Sequence, residues 1–143
     1  MANSLYIKGG RKHERAICEA VAIYCCKKLL PKVRSLEIEI ELKNIKGDVV
    51  GYCMMEDDIK TYTIEIQKGM SVRQLVNTVA HEMVHVKQYY RKEMNDQLTS
   101  SGRAKWKGKS VHADTEYMDL PWEKEAYRLQ EALADDMWKN DLI

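Results

Sequence analysis

The stretch from Ser71 to Arg91, SVRQLVNTVAHEMVHVKQYYR, sets the architecture expected of everything around it. At about 100° per residue, Val72, Leu75, Val76, Val79, Met83, Val86 and Tyr90 gather on one side, the apolar stripe of an amphipathic helix. Ser71 with Gln74 three residues later has the signature of a capping box and marks the helix start. His81 and His85 fall about 180° and 220° round from Val72, opposite that stripe. Residues i and i+4 stack on one helical face, so both imidazoles reach a single zinc ion and Glu82 lies beside it. His81–Glu82–Met83–Val84–His85 is therefore an H-E-x-x-H pattern in helical context, in which Glu82 takes a proton from a zinc-activated water.

Upstream, residues from about Lys12 to Leu30 read as a helix, with Ile17, Ala20, Val21, Tyr24 and Lys28 at three- and four-residue steps and Pro31 ending the pattern. The period then changes. Leu36 to Leu42 alternates strictly between aliphatics and glutamates, a half-buried strand. Lys46–Gly47–Asp48 is a turn. Val49 to Met55 reads as a second strand, buried or lining a cleft, and Gly51 within it marks a bulge or a close backbone approach. Ile59 to Gln67 makes a third. Short connections predict a three-stranded antiparallel meander.

Downstream, residues 93–119 are polar and irregular, a long loop of the kind that is functional in compact domains. A last helix starts near Asp119 with Pro121 in its first turn and runs to about Lys139, burying Trp122, Ala126, Leu129, Leu133 and Met137. A catalytic zinc takes three protein ligands and keeps one open position. Glu123 and Glu125 both straddle the buried stripe of this helix. Glu123 shares its side with Tyr127, Gln130 and Ala134, the less charged side and the one expected to dock on the zinc helix, so it is the preferred third ligand. Glu125 and His112 remain alternatives. Tyr117, Tyr127 and His112 are the groups available to stabilise a transition-state oxyanion. Thr78 and Gln88 are candidates for orienting the histidines.

The chain has 143 residues, 45% apolar and 31% charged, with a net charge of +1. Those values describe one soluble domain, 1–143, and give no reason to expect strong nucleic-acid binding. The amino end lacks the apolar run of a signal peptide and no window approaches a membrane span. Cys18, Cys25, Cys26 and Cys53 show no C-x-x-C spacing, so reduced thiols and a cytoplasmic location are expected.

The order helix, sheet, H-E-x-x-H helix, loop, glutamate helix resembles the minimal zincins of the gluzincin type, an α+β fold. His81–Tyr89, Trp106–Lys107–Gly108 and Leu120–Tyr127 together look like a group of small phage and prophage zinc metallopeptidases of the SprT-like kind. The Trp122–Glu123–Lys124–Glu125–Ala126 segment is similar to the E-x-E-A segment of the ImmA/IrrE-type peptidases, with Tyr127 where that family has Asn or Asp. A metzincin is excluded, because Gln88 and Arg91 stand where its Gly and last His belong. The resemblance implies a zinc-dependent metallopeptidase with Zn2+ on His81, His85 and Glu123 and with Glu82 as general base. It implies an endopeptidase rather than an exopeptidase, acting on a protein or peptide, with an extended substrate added to the sheet edge at Ile59–Gln67 or Val49–Met55. The alternative is a non-catalytic or regulatory zinc module of the same fold that works through one protein partner.

Overall fold

The structure, a computed structural model, describes residues 3–95 and 104–143. In chain order the main elements are β1 (Ser4–Gly9), α1 (Lys12–Leu29), β2 (Glu37–Lys43), β3 (Gly51–Met55), β4 (Thr61–Gln67) and α2 (Val72–Tyr90). Three two-residue strands follow, β5 (Met94–Asn95), β6 (Lys105–Trp106) and β7 (Lys109–Ser110), then a single 3-10 turn at Tyr117–Asp119 and α3 (Pro121–Lys139). The class is α+β.

The sheet differs from the expected antiparallel meander. It has four strands in the order β1-β2-β4-β3 and is mixed: β1 pairs parallel with β2, β2 parallel with β4, and only β3 runs antiparallel to β4. Two physical facts account for the difference. Parallel neighbours need a crossover between them, so the partner of β1 lies a whole helix further along the chain and leaves no local signal. The chain from β2 to β4 also detours through β3, which folds back onto β4 as an edge hairpin instead of lying between the two. β4 is therefore an interior strand, and Ile59–Gln67 has no free edge to offer; of the two proposed edges only β3 has one.

The alternation along β2 does what its period requires. Leu36, Ile38, Ile40 and Leu42 are at most 4% exposed, and they meet Tyr62, Ile64 and Ile66 of β4 on the same inner face. α1 and α2 cover that face. α1 buries Cys18, Val21, Ala22 and Cys25, a stripe turned about one residue from the expected one. The small thiols pack innermost, while Ile17 and Tyr24 flank the core half-buried. Tyr24 donates to Asp136 of α3, which ties the first and last helices together. Glu14, also buried, accepts backbone N–H bonds from Arg11 at 2.8 Å and Gly69 at 2.8 Å, joining the start of α1 to the turn before α2.

α2 starts at the expected cap: the Ser71 hydroxyl accepts from the Gln74 backbone and the Gln74 side chain returns to the Ser71 N–H. Val72, placed in the apolar stripe by period alone, is 43% exposed because it sits in the first turn, beyond the sheet. The opposite face is not solvated. α3 lies over it, so α2 is buried all round from Val79 to Val86. α3 itself is capped by Leu120, with Asp119 in the preceding 3-10 turn and Pro121 at the first helical position. The expected long loop at 93–119 holds the small β5-β6-β7 sheet; its residues 96–103 lie outside the described ones. No helix among the described residues is long and apolar enough to cross a membrane.

Candidate metal centre

Three donors converge where α2 passes beneath the first turns of α3. Nε2 of His81 is 2.9 Å from Oε1 of Glu123, and Nε2 of His85 is 3.3 Å from its Oε2. One ligand atom from each of the three lies within 4.8 Å of the others, and all three residues are buried. A tetrahedral zinc with bonds of about 2.0–2.1 Å sets neighbouring donors about 3.3 Å apart, so the group fits an ion of that size with a small outward adjustment.

The far nitrogen of each ring decides which way the near one faces. His81 Nδ1 is 2.7 Å from Gln130 Oε1, and His85 Nδ1 is 2.7 Å from Gln88 Oε1. An amide oxygen only accepts, so each Nδ1 carries a hydrogen and each Nε2 is turned to Glu123. The Gln88 amide is oriented independently, because its Nε2 donates to the Trp122 carbonyl at 2.9 Å and to Glu125 Oε1 at 3.1 Å. Two neutral rings would point lone pairs at a carboxylate, which is repulsive unless protons or a cation lie between them. A metal ion satisfies all the donors at once.

Without a metal, protons take that place. Burial works against charge on His85, but contact with Glu123 and the nearby Glu82 outweighs it and raises the imidazole pKa. Burial likewise works against charge on Glu123, yet bonds from His81, His85 and the Tyr117 hydroxyl bring its pKa down to about 2.

Glu82 is 6% exposed. Burial pushes its carboxyl pKa up and Glu123 adds to the effect, while His85 and His81 oppose it. Strand β3 runs directly against it: a Cβ on Gly51 would stand 2.9 Å from Glu82 Oε2 and 3.0 Å from Thr78 Cγ2. The close backbone approach expected of Gly51 is thus an approach to Glu82. The open side is a cleft of about 510 Å³ between β3, α2 and α3, and Glu82, both histidines and Glu123 all border it.

The remaining candidates separate clearly. Glu125 points away from the three donors to Lys87 Nζ, 2.8 Å distant, and Lys87 also pairs with Glu93 at 2.8 Å. His112 is exposed, and its Nδ1 accepts from the Asp114 backbone at 3.1 Å, outside the donor group. Tyr117 donates its hydroxyl to Glu123 Oε1 at 2.9 Å, and burial together with that carboxylate raises its pKa. The Tyr127 ring stands edge-on to His81, centroids 4.6 Å apart. Thr78, considered as support for a histidine, instead donates to the Gln74 carbonyl at 2.7 Å. Gln130 does that work for His81. Its only signal in the sequence is its place two turns after Glu123 on the same side.

No family model matches the chain, and no curated protein or solved structure matches it either. What fold and site define together is an α+β protein with a buried His-His-Glu group able to hold a metal ion.

Proposed function

We propose that the protein is a zinc-dependent metallopeptidase of the minimal zincin kind, an endopeptidase related to the small phage and prophage enzymes that its motifs resemble. One observation carries the reading. Two Nε2 atoms from consecutive turns of α2 and a carboxylate from α3 meet in a buried group, beside a fourth residue, Glu82, that is not needed to hold a metal. Bound there, zinc supplies a Lewis acid for water and for a peptide carbonyl.

The chain's own residues supply the rest. Glu82 accepts a proton from the attacking water and returns it to the leaving amine. Its burial suits it to both steps, because a carboxylate in a low-dielectric site is a stronger base than one in water. Gln88 and Gln130 hold the imidazoles with their Nε2 atoms inward. Tyr117 and Tyr127 stand at the cleft wall, where a phenol hydroxyl can donate to an oxyanion. Strand β3 offers the free edge along which an extended peptide can pair. Cys18, Cys25, Cys26 and Cys53 are in no disulfide among the described residues, which suits the cytoplasm.

The test is zinc content with peptide hydrolysis. Wild-type protein should take up about one zinc per chain, His81→Ala and His85→Ala should lose it, and Glu82→Gln should keep zinc while losing hydrolysis. A folded wild type that takes up no zinc overturns the reading. Zinc uptake with no hydrolysis of any peptide by the wild type would leave the non-catalytic module in its place.

A further inference from the structure

Strand β1 is an outer edge of the main sheet, with β2 on one side and no described strand on the other. The Ser4 N–H donates to the Leu36 carbonyl at 2.7 Å. Successive residues of a strand aim their backbone groups to opposite sides, so Ser4, Tyr6 and Lys8 bond to β2 while Leu5 and Ile7 turn N–H and C=O outward. The described residues supply no partner for those outward groups. Beyond them the edge is closed, because the Gly9 carbonyl accepts from Arg15 at 3.0 Å. Between Ser4 and Lys8 the common protections of an edge are missing. The run has no proline and no bulge, and its one charged side chain, Lys8, already pairs with Glu39 at 3.7 Å. Tyr6 stands at the middle of the run, on the sheet face turned away from α1 and α2. It is 59% exposed, more than any other large apolar side chain among the described residues.

We infer that this edge pairs with the same edge of a second copy of the chain, antiparallel and centred on Tyr6. The dimer so formed has one continuous sheet with four strands from each copy. The phase of the outward groups fits that pairing. With Tyr6 opposite Tyr6, Leu5 of each copy lies opposite Ile7 of the other, and the two exchange both backbone bonds. On the inner face the half-buried Leu5 and Ile7 side chains close over one another across the axis. On the outer face the Tyr6 rings meet at a pair without backbone bonds, where opposite side chains stand closest. Lys8 comes opposite Ser4 and, one strand further, within reach of Glu37 of the second copy, a carboxylate whose described partner is the Thr61 hydroxyl at 3.5 Å. No two like charges face each other. A ladder this short buries less than the ~1,200 Å² of a standard interface, so the dimer dissociates at micromolar concentrations. β3 is the opposite edge of the sheet, so both clefts stay open at the far ends. Assembly therefore depends neither on zinc nor on the peptidase reading.

The experiment has two arms, both on metal-free protein, so failure of the peptidase reading leaves them untouched. In the first, sedimentation velocity from ~1 to ~100 μM should show the mass rising from one chain toward two. Tyr6→Lys sets two lysines against each other at the axis while leaving each beside Glu39 of its own chain, and should weaken the dimer at least about tenfold. Ile7→Pro removes an outward N–H and none of the β1–β2 ladder, and should weaken it likewise. A wild type that stays one chain throughout overturns the inference, and so does a dimer that Tyr6→Lys leaves equally tight. In the second arm an added oxidant joins introduced thiols. Tyr6→Cys should give a disulfide-linked dimer above the wild-type background, because a pair without backbone bonds sets its Cα atoms within disulfide range. Lys8→Cys, which faces Ser4, should not. Equal cross-linking of the two variants, or none, overturns the inference. Where Tyr6→Lys or Ile7→Pro unfolds the chain, the cross-linking comparison decides alone.

Discussion

The side-chain amide of Gln88 lies between His85 and the first turn of α3, its Oε1 2.7 Å from His85 Nδ1 and its Nε2 2.9 Å from the Trp122 carbonyl. Gln88 is fully buried, and its second N–H bond goes to Glu125. The glutamate that does not reach the donor group therefore anchors the amide that aims one of the donors. Gln88→Leu should weaken zinc binding about 10- to 100-fold, the range typical of losing a group that orients a ligand. Glu125→Gln should cost less, since an amide oxygen can still accept from Gln88, and Glu123→Gln should cost most. Competition against a calibrated chelator gives all three values. An unchanged affinity for Gln88→Leu would mean that packing alone orients His85.

Glu82→Gln separates catalysis from stability. Burial raises the folded-state pKa of Glu82 above its ordinary 4.5. A carboxyl shifted that way stabilises the fold fully only below the unfolded value, and the contribution is lost as pH rises through the folded value. That stabilisation is lost progressively as pH rises above the unfolded value, whereas an amide does not titrate, so at pH 8 the metal-free amide variant should melt no lower than wild type. Hydrolysis should meanwhile fall by about 100-fold or more, the contribution typical of a general base. A variant that melts several degrees lower at pH 8 would contradict the account of a strained buried carboxylate.

Zinc should stabilise the protein more at pH 8 than at pH 5.5. His85 has a raised pKa, so in the metal-free protein its stabilising contribution is present below the unfolded value of 6.5 and fades as pH rises through the folded one. Glu123 has a depressed pKa, about 2, so its contribution is present above 4.5 and lost only as pH falls toward 2. The metal-free cluster is thus at its most stabilising between those two unfolded values. Zinc competes with the His85 proton, and its advantage grows as that proton leaves. Melting curves with and without zinc at the two pH values measure the difference; an increment that shrinks toward pH 8 would exclude His85 as a ligand.

Local periodicity made parts of this molecule readable and left others silent. The β2 alternation, the Ser71–Gln74 cap and the i, i+4 histidines each depend on residues within one turn or one strand, and each is found as the sequence implies. The preference for Glu123 over Glu125 rested on which side of α3 carries less charge, and the same criterion accounts for Glu125 facing Lys87. What stayed hidden depends on distant partners. The pairing of β1 with β2 spans a whole helix, and the bond from His81 to Gln130 joins residues 49 apart in sequence. The burial of the histidines was invisible for the same reason: on α2 alone they lie opposite the apolar stripe, and only α3 covers them.

Gly51→Val tests the contact between strand and base. The added Cβ falls within 3.0 Å of both Glu82 and Thr78 side chains, and two further methyls add to that crowding. Overpacking of this kind costs about 1–3 kcal/mol. Gly51→Ala meets only the movable end of Glu82 and the Thr78 methyl, so its loss in stability should be small while its loss in kcat is larger. Zinc affinity should be unchanged in Gly51→Ala, since none of the three donors is touched. Normal kcat in that variant would show that the position of Glu82 tolerates displacement.

Tyr117→Phe asks whether a phenol serves the donor or the reaction. The hydroxyl donates to Glu123 Oε1 at 2.9 Å, yet Tyr117 is 54% exposed and stands on the 3-10 turn ahead of α3. A bond that merely orients Glu123 would show, when removed, as weaker zinc binding. A hydroxyl that leaves Glu123 to stabilise an oxyanion would show as a lower kcat with KM and zinc affinity held, because the interaction is then made only in the transition state. The second outcome is expected, with a fall of about 10- to 100-fold in kcat, since Glu123 still has both histidines or the metal as partners once the phenol is gone. Tyr127→Phe keeps the ring that stands against His81 and removes a hydroxyl that is bonded to Tyr117; equal losses in both variants would assign the oxyanion role to neither tyrosine alone.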